Sequence, residues 1–131
     1  MGTRTNLREF IDQSKMVDTH EHLNSAKQYT ENPPDVLQEL FENYIGSDLR
    51  VAGASQDAIE KLVQPGESSI SKRFQAISQA WQHCQFTGYG KAVLGVAKEV
   101  FGLDELTPKS LEAAEESRRQ QSKRPSRLDI L

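Results

Sequence analysis

Met16-Val17-Asp18-Thr19-His20-Glu21-His22-Leu23 is the stretch on which the reading of this chain turns. It begins apolar, as a buried strand does, and ends in two histidines one residue apart. Alternate side chains of a strand share a face, so an extended backbone here would project His20 and His22 together, with Asp18 behind them. Two imidazoles on one face at a strand end can each give a ring nitrogen to one metal ion. His83 is the remaining histidine of the chain. A His-x-His pair also arises in ordinary polar turns, and the spacing alone leaves both readings open.

Working outward, residues 5 to 14 carry Leu7, Phe10 and Ile11 at helical spacing and predict a short helix. Lys15 to His20 reads as the one strand, and Asn24 to Pro34 as a polar loop ending in Pro33-Pro34. Downstream the period changes to that of helices. Asp35 is placed to cap a helix, with Gln38 completing a capping box. Val36, Leu37, Leu40, Phe41, Tyr44 and Ile45 form its apolar stripe, and Gly46-Ser47 ends it. A short helix from Gln56 to Val63 stops at Pro65-Gly66.

From Ser68, Ile70, Phe74, Ile77, Trp81 and Cys84 recur at alternating steps of four and three, which predicts one amphipathic helix with a continuous apolar face. Trp81 and Phe74 are expected in the core, with Cys84 packing as a small apolar side chain. His83 falls off the stripe. Gly88-Tyr89-Gly90 marks a turn between helices and opens another, with Val93, Leu94, Ala97, Val100 and Phe101 on its apolar face. Thr107-Pro108 opens the last helix, which runs into Glu115 to Gln121. Residues 122–131 read as a polar, disordered tail.

Composition narrows the function classes. The 131 residues suffice for a domain with a real core, 36% of them apolar and 27% charged, with net charge −3. No basic face supports nucleic-acid binding. No run approaches the roughly 20 apolar residues of a membrane span, and the polar N-terminus has no signal-like segment. Cys84 is the only cysteine, so no internal disulfide can form and a reducing, cytoplasmic setting is expected.

One strand cannot satisfy its own backbone hydrogen bonds. Either the whole chain is a helical bundle and Lys15–His20 is no strand, or the sheet partners lie elsewhere. The metal site has the same incompleteness. A catalytic zinc-type site takes three protein ligands plus water, and His20 and His22 supply two.

These residues carry a resemblance. Val17-Asp18-Thr19-His20-Glu21-His22-Leu23 resembles the first-strand motif of the amidohydrolase superfamily, apolar-Asp-x-His-x-His. Pro34-Asp35-Val36-Leu37, the run Tyr44 to Gly53, Trp81 with Thr87 to Ala92, and Phe101 to Leu106 are similar to the helical insertion after strand one in uronate-isomerase-like members. The resemblance spans roughly residues 8 to 121. It implies an α/β fold: the first strand and helical insertion of a (β/α)8 TIM-type barrel, mostly helical as it stands and incomplete. Residues 1–121 would be the N-terminal part of that barrel domain, with 35–121 as the insertion. His20 and His22 would be the two first-strand metal ligands and Asp18 a supporting acid behind them.

The metal implied is a divalent ion, zinc first, with manganese or iron as alternatives. The substrate implied is a small molecule, and the reaction hydrolysis, with uronate isomerisation or decarboxylation as variants. The family's remaining histidines and its late aspartate have no counterpart here, and such barrels take about 250 residues. The expected product is therefore a fragment without turnover. A reading of another class is a non-catalytic helical domain that acts in protein interaction, using the stripes of Ile70 to Cys84 and Val93 to Phe101.

Overall fold

A computed structural model describes residues 3–20, 25–66 and 68–122. The chain divides into two compact units, Met1–Asn32 and Pro33–Leu131.

In the first unit, α1 spans Thr3–Gln13 and α2 spans Ala26–Glu31. Beyond α1, the Ser14 hydroxyl donates to the Phe10 carbonyl at 2.6 Å. α2 lies inside the stretch predicted as loop. Its capping box was available in the sequence: Ser25 accepts from the Gln28 N–H while the Gln28 side chain accepts from the Ser25 N–H.

The predicted strand does not form. Residues 15–20 have no regular secondary structure, and the described residues contain helices and no strand. This overturns the α/β expectation, and with it the barrel strand. The physical reason is visible in the segment itself. Met16 and Val17 are 91% and 82% exposed, so neither has a face to pack on. The His20 N–H donates to Asp18 Oδ1 at 3.1 Å, which turns a would-be ladder donor to a local side-chain acceptor.

The second unit holds the helices α3 (Val36–Phe41), α4 (Ile45–Val51), α5 (Gln56–Leu62), α6 (Ile70–Gln75), α7 (Ser78–Cys84), α8 (Gly88–Phe101) and α9 (Pro108–Ser122). Several starts are set by side-chain caps. Asp35 accepts from the Gln38 N–H, Ser55 from Ala58, Ser69 from Lys72 and Thr87 from Gly90. α8 ends at Gly102, which takes the left-handed conformation with φ +68°, while the Leu103 N–H reaches back to the Ala97 carbonyl at 3.0 Å. The expected tail past Ser122 lies outside the described residues.

Two of the predicted long helices are broken in two. The stripe from Val36 to Ile45 divides at Asn43, whose Nδ2 donates to the Leu40 carbonyl at 2.8 Å and whose Oδ1 accepts from the Ile45 N–H at 2.9 Å. Asn43 thereby closes α3 and opens α4, and Gly46-Ser47 lies inside α4 instead of ending a helix. The stripe from Ile70 to Cys84 divides at Ala76–Ile77, where Ile77 has φ −113° and ψ 0°. The apolar periodicity survives the break, because Ile70, Phe74, Ile77, Trp81 and Cys84 are all buried.

These side chains meet in one core with Leu37, Leu40, Phe41, Ile45, Leu49, Leu62, Val93, Ala97 and Leu111. Phe41 sets its ring edge-on to Trp81 at 5.4 Å and tilted to Phe74 at 6.1 Å. α8 approaches α7 so closely that a Cβ on Gly90 would stand 1.8 Å from the Cys84 carbonyl oxygen. Gly90 is thus required by packing at the predicted helix–helix turn.

Candidate functional site

The His-x-His segment follows α1 in the first unit. Asp18 and His20 are both exposed, and the Asp18 carboxylate accepts the His20 backbone N–H. Glu21 and His22, the other half of the motif, lie outside the described residues. His83 sits in the last turn of α7, exposed, in the second unit. Among the described residues no group of three or more His, Cys, Asp or Glu side chains is placed to hold a metal ion. The donors are of the right type for zinc, manganese or iron. They do not amount to a catalytic set, so no catalytic step can be drawn through a metal from these residues.

The second unit contains a cluster of charges that sequence reasoning missed. Arg73 of α6 is only 3% exposed. Its Nη1 donates to Asp35 Oδ2 at 2.5 Å, its Nε to the Lys61 carbonyl at 2.9 Å and its Nη2 to the Leu62 carbonyl at 2.6 Å. One guanidinium therefore ties the N-cap of α3 to the last turn of α5. Glu115 of α9, also 3% exposed, accepts from the Val36 N–H at 2.9 Å, from Arg118 Nη2 at 2.8 Å and from Arg119 Nε at 3.0 Å.

Burial pushes the Glu115 carboxyl up, but the hydrogen bonds from Arg118, Val36 and Arg119 outweigh it and hold it below the usual carboxylate range. The same bond to Glu115 raises Arg118. Desolvation moves Glu39 up against the pull of Arg118. A surface cavity of about 370 Å³ opens beside the cluster, lined by Ser68, Ser69, Glu112, Glu116 and Arg119 among others. Every buried side-chain polar atom among the described residues has a hydrogen-bond partner. The cluster is thus internally satisfied and serves the fold. The only sequence signal for it was Asp35 at a cap; nothing in the periodicity marked Arg73 or Glu115 as buried.

Comparison with known proteins adds no relative. No family model matches the chain, and neither the curated proteins nor the solved structures contain a match. The likeness to amidohydrolases stands on the quoted residues alone. Among the described residues, no helix is long and apolar enough to cross a membrane.

Proposed function

We propose that this chain contributes His20 and His22 as ligands to the divalent-metal site of a metal-dependent hydrolase of the amidohydrolase type, and that it does not turn over substrate alone. The observation that supports this is the exposure of the segment. Met16, Val17, Asp18 and His20 are exposed, so the described half of the motif has no packing role that would explain it as core. Asp18 accounts for the local shape of the segment through its bond to the His20 N–H. Zinc is the first choice of metal, with manganese or iron as alternatives. The reaction is hydrolysis of a small molecule, and isomerisation of a uronic acid or decarboxylation are the variants within the same chemistry. The metal would activate water or polarise a substrate oxygen, with the remaining ligands and the base supplied from outside these residues. The setting is cytoplasmic, in keeping with a single, buried cysteine.

Calorimetric titration of the chain with zinc or manganese tests the reading. Weak binding is expected, lost in His20→Ala and in His22→Ala, with no hydrolytic turnover. Binding of equal strength in both variants would sink the metal assignment. Robust turnover abolished by His20→Ala would instead show that the chain carries a whole site.

A second reading has its own support. The Pro33–Leu131 unit closes a core of its own around Phe41, Phe74 and Trp81. That suits a non-catalytic helical module acting in protein interaction. A cooperative, monodisperse helical monomer that binds no metal would favour it.

A further inference from the structure

Apolar exposure in the Pro33–Leu131 unit is unevenly spread. Among the described residues its exposed large apolar side chains are Tyr44, Val51, Phe86, Tyr89, Val96 and Val100. All of them fall at α4, at α8 or in the turn that leads into α8. α4 and α8 pack on each other, and the Tyr44 and Tyr89 rings meet at 5.7 Å. Single apolar side chains scattered over a surface need no explanation, whereas a patch gathered on two adjoining helices does.

α8 shows how the patch is built. One face packs on α3, α4 and α7 and buries Gly90, Val93 and Ala97. At about 100° per residue, Tyr89, Ala92, Val96 and Val100 fall within about 80° of one another on a second face, and all four are exposed. A surface helix ordinarily turns polar side chains to water there.

Two charges lie at the edges of this second face. Lys91 and Glu99 are exposed and carry no ion pair among the described residues, whereas Lys98 pairs with Asp104 at 3.5 Å. They stand four residues to either side of Gly95. In an antiparallel pair of α8 helices with its twofold axis at the level of Gly95, each Lys91 comes level with Glu99 of the second copy. Val96, one residue from the axis, then meets its own copy, and Val100 falls beside Tyr89 of the second copy. A parallel pair would instead set Lys91 against Lys91 and Glu99 against Glu99. The charges are self-complementary in one sense and repulsive in the other, as a twofold contact requires.

We infer that this face of α8, with Tyr44 beside it, docks a second copy of the chain as an antiparallel, twofold dimer. Fourteen residues of helix offer about 21 Å of contact. The interface is therefore at the small end of its class, and the dimer forms at micromolar chain concentrations. No residue of the His-x-His segment takes part, so the dimer stands whether or not the chain binds metal.

Sedimentation equilibrium of the full chain across the micromolar range tests this, and a monomer–dimer equilibrium is expected. Val96→Asp, at an exposed position, should keep the helical circular dichroism and raise the dissociation constant about tenfold or more. Lys91→Glu and Glu99→Lys should each weaken the dimer roughly threefold or more, because each sets like charges level with one another twice. The double variant restores opposite signs and should recover most of the wild-type affinity. A chain that stays monomeric throughout would overturn the pairing and leave the patch to a partner of another kind. A dimer that Val96→Asp does not weaken would overturn it as well, since another surface, such as Leu7, Phe10 and Ile11 of α1, would then hold the copies together. Losses that simply add in the double variant would overturn the antiparallel sense.

Discussion

Arg73 and Asp35, 38 positions apart in the chain, form an ion pair whose side chains are 2% and 9% exposed, with Nη1 to Oδ2 at 2.5 Å. Arg73 Nε and Nη2 donate in addition to the Lys61 and Leu62 carbonyls of α5. Replacing Arg73 by Ala leaves the Asp35 charge and the Lys61 and Leu62 carbonyls without their partner. The expected loss is about 3–5 kcal/mol, read from urea unfolding. Arg73→Lys should recover little of it, because an ammonium cannot reproduce the fork. A loss below about 1 kcal/mol would mean water satisfies these groups as well as Arg73 does.

Glu115 should give stability a pH dependence of known sign. Its folded carboxyl lies below the usual range, so the folded state binds its proton less readily than the unfolded chain. Its contribution is complete above the ordinary glutamate range and is lost as pH falls from there through the lower folded value. Glu115→Gln should therefore cost about 1–3 kcal/mol near neutral pH. The gap between variant and wild type should narrow as pH falls through and below the ordinary glutamate range. A gap that stays constant across that range would assign the effect to shape instead of charge.

Gly90 and Gly95 lie on one helix and should respond oppositely to alanine. At Gly90 the new Cβ would meet the Cys84 carbonyl at 1.8 Å, so α7 and α8 must move apart. A loss of about 1–3 kcal/mol is expected. At Gly95 nothing lies within 4 Å, and alanine should stabilise α8 by about 0.5–1 kcal/mol. Paired melting temperatures decide it, and equal shifts of one sign would contradict the close approach.

Cys84 should behave as a core side chain toward thiol reagents. It is buried, and burial together with the nearby Asp48 charge pushes its thiol up, so the reactive thiolate is scarce. Labelling in native buffer should be slow and should become fast once the chain is unfolded in urea. Fast native labelling would show that the α7–α8 seam opens readily.

The helical period was legible because burial of an apolar face imposes it on the residues directly. Ile70, Phe74, Ile77, Trp81 and Cys84 point into the core as their spacing predicts, and the caps at Asp35 and Thr107 are where hydroxyl and carboxylate chemistry put them. Periodicity cannot see a break that preserves the stripe. The turns at Asn43 and Ala76–Ile77 keep every apolar residue on the inside, so the pattern reads straight through them. The strand at Lys15–His20 failed for the converse reason. Two apolar residues beside a His-x-His pair describe a strand only if something pairs with it, and pairing is not a local property.

By itself the sequence determined the amphipathic helical stripes from Val36 to Phe101, the caps at Asp35 and Thr107, and the breakers at Pro65-Gly66 and Gly102. These follow from local backbone preference and from the free energy of burying apolar area, both of which act within a few residues. Tertiary structure alone decided that residues 15–20 form no ladder, that Gly90 must lack a side chain, and that Arg73 and Glu115 are buried. Each of these depends on what distant residues bring to the same place: Asp35 to Arg73, Val36 to Glu115, the Cys84 carbonyl to Gly90. A charge can be buried only where its partner already waits, and that is a fact of the packed chain.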